Sequence, residues 1–160
     1  MTRRNLLIMT VAALMLPAFG ANKPSLTGEW KLNADKSNFG PMPPPEAMTQ
    51  KVDHDDPALK IITMQKSMEG DATWTINLTT DGQECKNDIR GASMVSKATW
   101  EGDVLIVTSK LDFQGMEITI KQKMKLSEDG KTLTSASNIS TPQGEFEQTL
   151  VMDKMEPAAK

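Results

Sequence analysis

The chain has one cysteine, one histidine, no tyrosine and only 4% aromatic residues. A lone Cys85 excludes an internal disulfide, so packing must hold the fold. A lone His54 is the only imidazole available to a nucleophilic triad, and no serine stands in a nucleophile-elbow setting. No glycine-rich phosphate loop occurs. No stretch sustains a 3.6-residue apolar period, which excludes a helix of consequence. Charges of both signs are interspersed, and no long run of either sign exists. These absences leave no catalytic motif, no cofactor site and no metal site to build on.

The first twenty residues read as a removable leader. Met1 to Arg4 is a short basic stretch, Leu6 to Pro17 is apolar, and Ala18-Phe19-Gly20 supplies the small residues that a signal peptidase reads. Cleavage is expected before Ala21, with the mature chain exported to a periplasmic or extracellular space. Leu6 to Phe19 is too short to span a bilayer comfortably. Of the 18 basic residues, Arg3 and Arg4 leave with the leader, so 16 face 21 acidic residues and the net charge is near −5. That balance argues against nucleic acid or an anionic membrane surface as partner. The remaining 21–160 are enough for one domain.

What is present is alternation. Met116, Ile118, Ile120, Met124 and Leu126 alternate with Glu117, Thr119, Lys121, Lys123 and Lys125, with Gln122 as the single polar residue on the apolar side. A strand with this pattern puts one face on a core and the other in water. Ser127-Glu128-Asp129-Gly130-Lys131 then signals a hairpin. The same plan recurs along the chain. Strands are expected at 26–32, 47–54, 59–68, 72–80, 83–88, a run ending at Glu101, 104–111, 116–126, 132–139 and 145–153. Asp81-Gly82 is a two-residue hairpin signal between two of them. Between Asn33 and Glu46, Pro41, Pro43, Pro44 and Pro45 beside Gly40 predict a stiff, extended surface loop. About ten strands joined by short turns predict an all-β, antiparallel up-and-down barrel, because closure removes exposed edges. A two-sheet β-sandwich is the alternative.

The apolar face is not purely apolar. Trp74, Ile76, Met94, Trp100, Met116, Ile118, Ile120 and Phe146 share it with Ser96, Gln122 and Gln148. Met124, Leu133, Leu150, Met152, Ser135 and Ser137 fall on the same side. Hydroxyls and amides are costly in a dry core without partners, and cheap where the face lines a cavity. Few large rings and nine methionines after the leader leave room and adaptable apolar surface. The eleven residues Trp74, Ile76, Met94, Ser96, Trp100, Met116, Ile118, Ile120, Gln122, Phe146 and Gln148 are therefore the candidate ligand-binding set. The competing reading is an ordinary core in which Ser and Gln pair with each other or a bulge shifts the register.

Other candidates carry less. His54 sits among Asp53, Asp55 and Asp56, but strand neighbours point to opposite faces, so Asp53 and Asp55 cannot both converge with it. An acidic turn cluster is the simpler reading. The methionines are scattered, as in a core, rather than clustered as thioether ligands for Cu(I). Cys85 has no nearby base in sequence to make it reactive.

Gly28-Glu29-Trp30 on the first strand is similar to the Gly-x-Trp mark of lipocalins and related calycin barrels. The resemblance implies that Trp30 closes one barrel end beneath a basic side chain from the last strand, here Lys154 in place of arginine. Trp30-Lys31-Leu32-Asn33, Lys36-Ser37, Phe39-Gly40-Pro41, His54 with Pro57, Trp100-Glu101-Gly102-Asp103 and Asp129-Gly130-Lys131-Thr132-Leu133 resemble exported bacterial lipocalin-like proteins. The resemblance implies a non-catalytic barrel that binds a small hydrophobic or amphipathic molecule inside. The second expectation is an interaction module that docks a protein or envelope partner through the proline loop, with Phe39 and Met42 exposed.

Overall fold

The computed structural model describes residues 23–156. The leader assignment at 1–20 lies outside those residues. Ten strands follow in order: β1 (Gly28–Leu32), β2 (Ala47–Asp55), β3 (Ala58–Ser67), β4 (Gly70–Thr79), β5 (Cys85–Ile89), β6 (Ala92–Glu101), β7 (Val104–Phe113), β8 (Met116–Leu126), β9 (Thr132–Thr141) and β10 (Gly144–Lys154). All neighbours are antiparallel, in the order β4-β3-β2-β1-β10-β9-β8-β7-β6-β5. This is a nearly closed up-and-down barrel. The first and last strands of the meander pair with each other (Trp30 opposite Lys154), so closure is made by β1 and β10. The sandwich alternative is set aside, because every strand belongs to one continuous sheet.

Turn chemistry sets the register. In the β5–β6 and β7–β8 hairpins, Arg90 (φ 55°) and Gln114 (φ 53°) precede Gly91 (φ 84°) and Gly115 (φ 83°). Two successive positive φ values are what a primed turn requires, and its twist matches that of the strands it joins. Asp88 and Asp112 each accept a hydrogen bond from the N–H of the glycine three residues on (2.9 and 3.0 Å).

One hairpin expectation is corrected. Asp81-Gly82 does not join two paired strands. Residues 80–84 separate β4 from β5, and these strands form no ladder. Instead Asp81 bridges Thr99 of β6, and the Gly82 N–H donates to the Ala98 carbonyl (2.9 Å). The turn residues are those of a hairpin, but the chain crosses to β6. The seam left between β4 and β5 is stitched by a side chain. The Asn87 carbonyl accepts from the Asn77 N–H (2.8 Å), and its amide donates to the Asn77 carbonyl (3.0 Å). Replacing Asn87 with leucine removes both bonds and leaves the Asn77 groups without these partners, a cost of about 1–3 kcal/mol each where water is excluded. Hydrogen exchange at the Asn77 amide is expected to speed up at least tenfold in N87L, while exchange at the β8–β9 ladder stays unchanged.

The proline loop is tethered at its start. A 3₁₀ turn, Ala34–Lys36, is capped by Asn33, whose side chain accepts from the Lys36 N–H. Asn38 then pairs with Thr149 of β10 through two backbone bonds of 2.7 Å. The prolines that follow forbid ladder pairing, and Pro41, Pro43 and Pro44 are exposed. The loop thus occupies the place beside β10 that a longer β1 would fill.

Candidate functional site

The register of β8, β9 and β10 stacks the inner face into rows. One row is Ile120, Ile139 and Phe146; the next is Gln122, Ser137 and Gln148. Below these come Met124, Ser135 and Leu150, then Leu126, Leu133 and Met152. Burial changes along this stack. Leu133, Met152 and Met124 are fully buried, with Leu26, Trp30, Val52, Leu59, Ala98 and Leu105 around them. Ile120, Ile139, Phe146, Gln122, Ser137 and Gln148 are only half-buried, although they point to the same side of the sheet. Along β8, β9 and β10 the interior therefore runs from a packed floor to an accessible half, while Met48, Ala92 and Met94 on β2 and β6 stay buried.

Trp30 organises the floor. It is fully buried, and its indole N–H donates to the Leu26 carbonyl (3.1 Å). Lys154 Nζ lies 5.4 Å from the centre of a Trp30 ring, a cation–π distance. Gly28 makes room for this arrangement: a Cβ there would sit 2.9 Å from Lys154 Cε. The sequence-based expectation for the Gly-x-Trp triplet and its basic partner matches this geometry.

His54 seals the same end. Its side chain is 3% exposed, and Nδ1 accepts from the Leu26 N–H (3.2 Å), which places the ring proton on Nε2. Nε2 lies 3.6 Å from Asp56 Oδ1 and has no hydrogen-bond partner among the described residues. Asp56, beyond the strand end, is the carboxylate that approaches it, as strand parity at Asp53 and Asp55 anticipates. Among the described residues, no three His, Cys, Asp or Glu side chains gather in a way that could hold a metal.

Asp56 also accepts from Thr80 Oγ1 (2.5 Å), Lys23 Nζ (3.0 Å) and Trp100 Nε1 (3.3 Å). The Thr80 hydroxyl first, then the Lys23 ammonium, holds its pKa down at about 2. A carboxylate with a lowered folded pKa stabilises fully above its unfolded pKa of about 3.9 and loses that contribution as pH falls through about 2. The melting-temperature gap between wild type and D56N is therefore expected to shrink as pH is lowered from 5 to 2. A gap that stays constant over that range would contradict this role for Asp56.

Of the eleven sequence-based site residues, Trp74, Ile118, Ile120, Gln122, Phe146 and Gln148 stand half-buried on inward-facing positions, those on β8 and β10 facing one another across β9 and Trp74 on β4 opposite Thr63. Met94 and Ser96 are buried in the barrel wall. Ile76 and Trp100 pack against the floor cluster, and Trp100 lies against His54 with ring centroids 5.9 Å apart. Met116 stands 43% exposed at the β7–β8 hairpin, where the strand runs past the barrel rim. Sequence reasoning missed Gln50, Thr63, Gln65, Ser109 and Leu111. Gln50 shares the face of Met48 and Val52 and was readable from that spacing. Thr63 and Ser109 were hidden by Ile61-Ile62 and by Val104-Leu105-Ile106-Val107, which are apolar on both faces.

The polar inner side chains form a belt between floor and rim. Ser96 and Ser109 share a hydrogen bond of 2.7 Å, and the Gln50 amide donates to Thr63 Oγ1 (3.3 Å). Among the described residues, the side chains of Gln65, Gln122, Ser135, Ser137 and Gln148 make no hydrogen bond with one another or with neighbours. Ser135 is buried; Gln65, Gln122, Ser137 and Gln148, half-buried and free, are available to water or to a guest. A depression of about 440 Å³ is lined by outward residues of β7–β10, among them Ile106, Lys121, Lys123, Ala136 and Asn138, and also by Gln122, Ser137 and Gln148 of the inner row.

The rim is apolar as well. Met42 on the proline loop, Met68 at the β3–β4 turn, and Phe113 and Met116 at the β7–β8 hairpin are all exposed there. Phe39 is half-buried instead, and a Cβ at Gly40 would sit 2.7 Å from the Glu147 carbonyl, so this part of the loop lies close on β10.

No family model matches the chain, and no curated protein matches it in sequence. Solved structures do match its fold. The zebrafish ileal bile acid-binding protein complexed with cholic acid superposes with a TM-score of 0.57 at 15% identity, over 82% of this chain and 100% of that one. Human cRBP IV gives 0.52 at 11% identity, over 82% and 99%. A secretory abundant heat soluble protein from Ramazzottius varieornatus gives 0.52 at 11% identity, over 81% and 94%. The chain thus shares the barrel fold of these three proteins.

Proposed function

We propose that this protein is an exported, non-catalytic barrel that takes a small hydrophobic or amphipathic molecule into the accessible half of its interior. One observation carries the reading: on the inner face of β8, β9 and β10, Met124, Leu133 and Met152 are buried toward the Trp30 end, whereas Ile120, Gln122, Ser137, Ile139, Phe146 and Gln148 are half-buried toward the other, with free amides and a hydroxyl between apolar rows. A folded chain that needed only a core would fill both halves to interior density. An interior of apolar walls with a few placed polar groups suits a small-molecule site. The fold's likeness to a bile acid-binding protein supports the reading only as an analogy between scaffolds. Native mass spectrometry of protein purified from its own host tests it. A co-purifying lipid-like mass supports binding, and a clean apo mass that takes up no added apolar ligand contradicts it. Export is part of the same proposal. Its check is N-terminal sequencing of the fractionated protein, expected to begin at Ala21.

The exposed apolar tips at the rim favour a second reading, in which this end docks a protein or envelope partner. The charge substitution Met42→Glu is expected to abolish such docking without reducing uptake of a small ligand. If uptake falls instead, the loop belongs to the entry path.

A further inference from the structure

Every Lys, Arg, Asp and Glu within the ten strands, Lys154 excepted, falls on an outward-facing position. Lys154 is at the floor over Trp30, and His54 is sealed in the same end. The strand positions that face the accessible half of the interior therefore offer amides, hydroxyls and apolar surface with no ionic partner, and the charged turn residues Glu46, Glu69 and Arg90 stand exposed at the rim. Its polar belt sits beneath an apolar row: Gln122, Ser137 and Gln148 under Ile120, Ile139 and Phe146.

From this we infer the class of ligand, an inference that rests on the proposed binding function. The interior selects an uncharged amphipathic molecule, an alcohol, ester or amide, with its polar head at the Gln122–Ser137–Gln148 row and its apolar tail toward the rim. Moving a carboxylate or an ammonium out of water is expensive unless a charge pairs with it. Gln and Ser donate and accept neutral hydrogen bonds, which a hydroxyl or carbonyl satisfies fully. The acidic balance after the leader, 16 basic against 21 acidic residues, adds no attraction for an anion. Three serine and glutamine groups in adjacent cross-strand positions stand close enough to share one head group.

The test compares dodecan-1-ol, dodecanoate and dodecylammonium as competitors of bound Nile red on the mature chain at pH 8. Dodecan-1-ol is expected to bind at least tenfold tighter than either ion. As pH is lowered toward 5, dodecanoate gains its proton and its disadvantage narrows, whereas dodecan-1-ol binding serves as the unchanged control. Gln122→Lys supplies the missing charge and is expected to raise dodecanoate affinity at least tenfold relative to the alcohol. Gln148→Lys is the second variant for the same readout. Dodecanoate binding as tightly as the alcohol at pH 8, or no change of preference in either lysine variant, would overturn neutral selection and leave the binding function standing. Failure of all three compounds to displace the dye overturns the binding function itself, and this inference with it.

Discussion

Replacing Trp30 by alanine is expected to destabilise the barrel by about 3–5 kcal/mol, the range for removing a fully buried aromatic side chain. For a domain of this size that corresponds to a melting temperature lower by roughly 10–20 °C. The effect is large because one side chain does several things. It fills the centre of the floor, where Leu26, Val52, Leu105 and Leu133 are also fully or almost fully buried. It satisfies the Leu26 carbonyl, which would otherwise be left inside without its donor. It also supports the stem of Lys154. W30F separates these effects. Phenylalanine keeps most of the packing and loses the indole hydrogen bond, so about 1–3 kcal/mol is expected. Thermal melts and urea titrations of the three proteins check the order. Equal stability of W30A and wild type would mean that the floor is not the structural core.

The opposite substitution belongs at the other end. Ser137→Trp adds a large ring to a half-buried inner position between Gln122 and Gln148. Overpacking a filled interior costs about 1–3 kcal/mol or more. Where the interior is open, the ring has space, and stability is expected to stay within about 1 kcal/mol of wild type. Binding of an apolar guest should fall at least a hundredfold, because the ring occupies the site. Ala98→Trp is the matched control. Ala98 is 1% exposed within the floor, and a tryptophan there is expected to prevent folding. A strongly destabilised S137W would mean that the upper rows are as tightly packed as the lower ones.

These two substitutions rest on a division of the interior that the sequence only partly discloses. Strand positions were readable, because most strands alternate and end at Gly-containing turns. Met116–Leu126 matches its expected bounds, and the others agree within a few residues. The Trp30–Lys154 pairing was readable as a resemblance and holds in three dimensions. The seam between β4 and β5 was not readable. Asp81-Gly82 has hairpin chemistry, and only the long-range bridge from Asp81 to Thr99 turns the chain elsewhere. The site was legible by face and illegible by depth. Period-2 spacing puts Ile76 and Trp74 on one face equally, yet Ile76 packs on the floor and Trp74 stands half-buried opposite Thr63. Depth depends on which residue opposes which across ten strands, and local spacing does not carry that. The same limit affects Trp100, whose indole reaches Asp56 at the sealed end.

Isoleucine methyl groups give the most direct test of where a guest sits, since they occur in each region of the barrel. Ile118, Ile120 and Ile139 line the accessible interior, Ile61 belongs to the floor, and Ile106 lines the depression from the outward side. The measurement is a methyl NMR titration of the isotope-labelled mature chain with dodecan-1-ol. Saturable shifts at Ile118, Ile120 and Ile139, with Ile61 and Ile106 unmoved, are the predicted result. Shifts confined to Ile106, or no saturable shift at any isoleucine, would contradict the account.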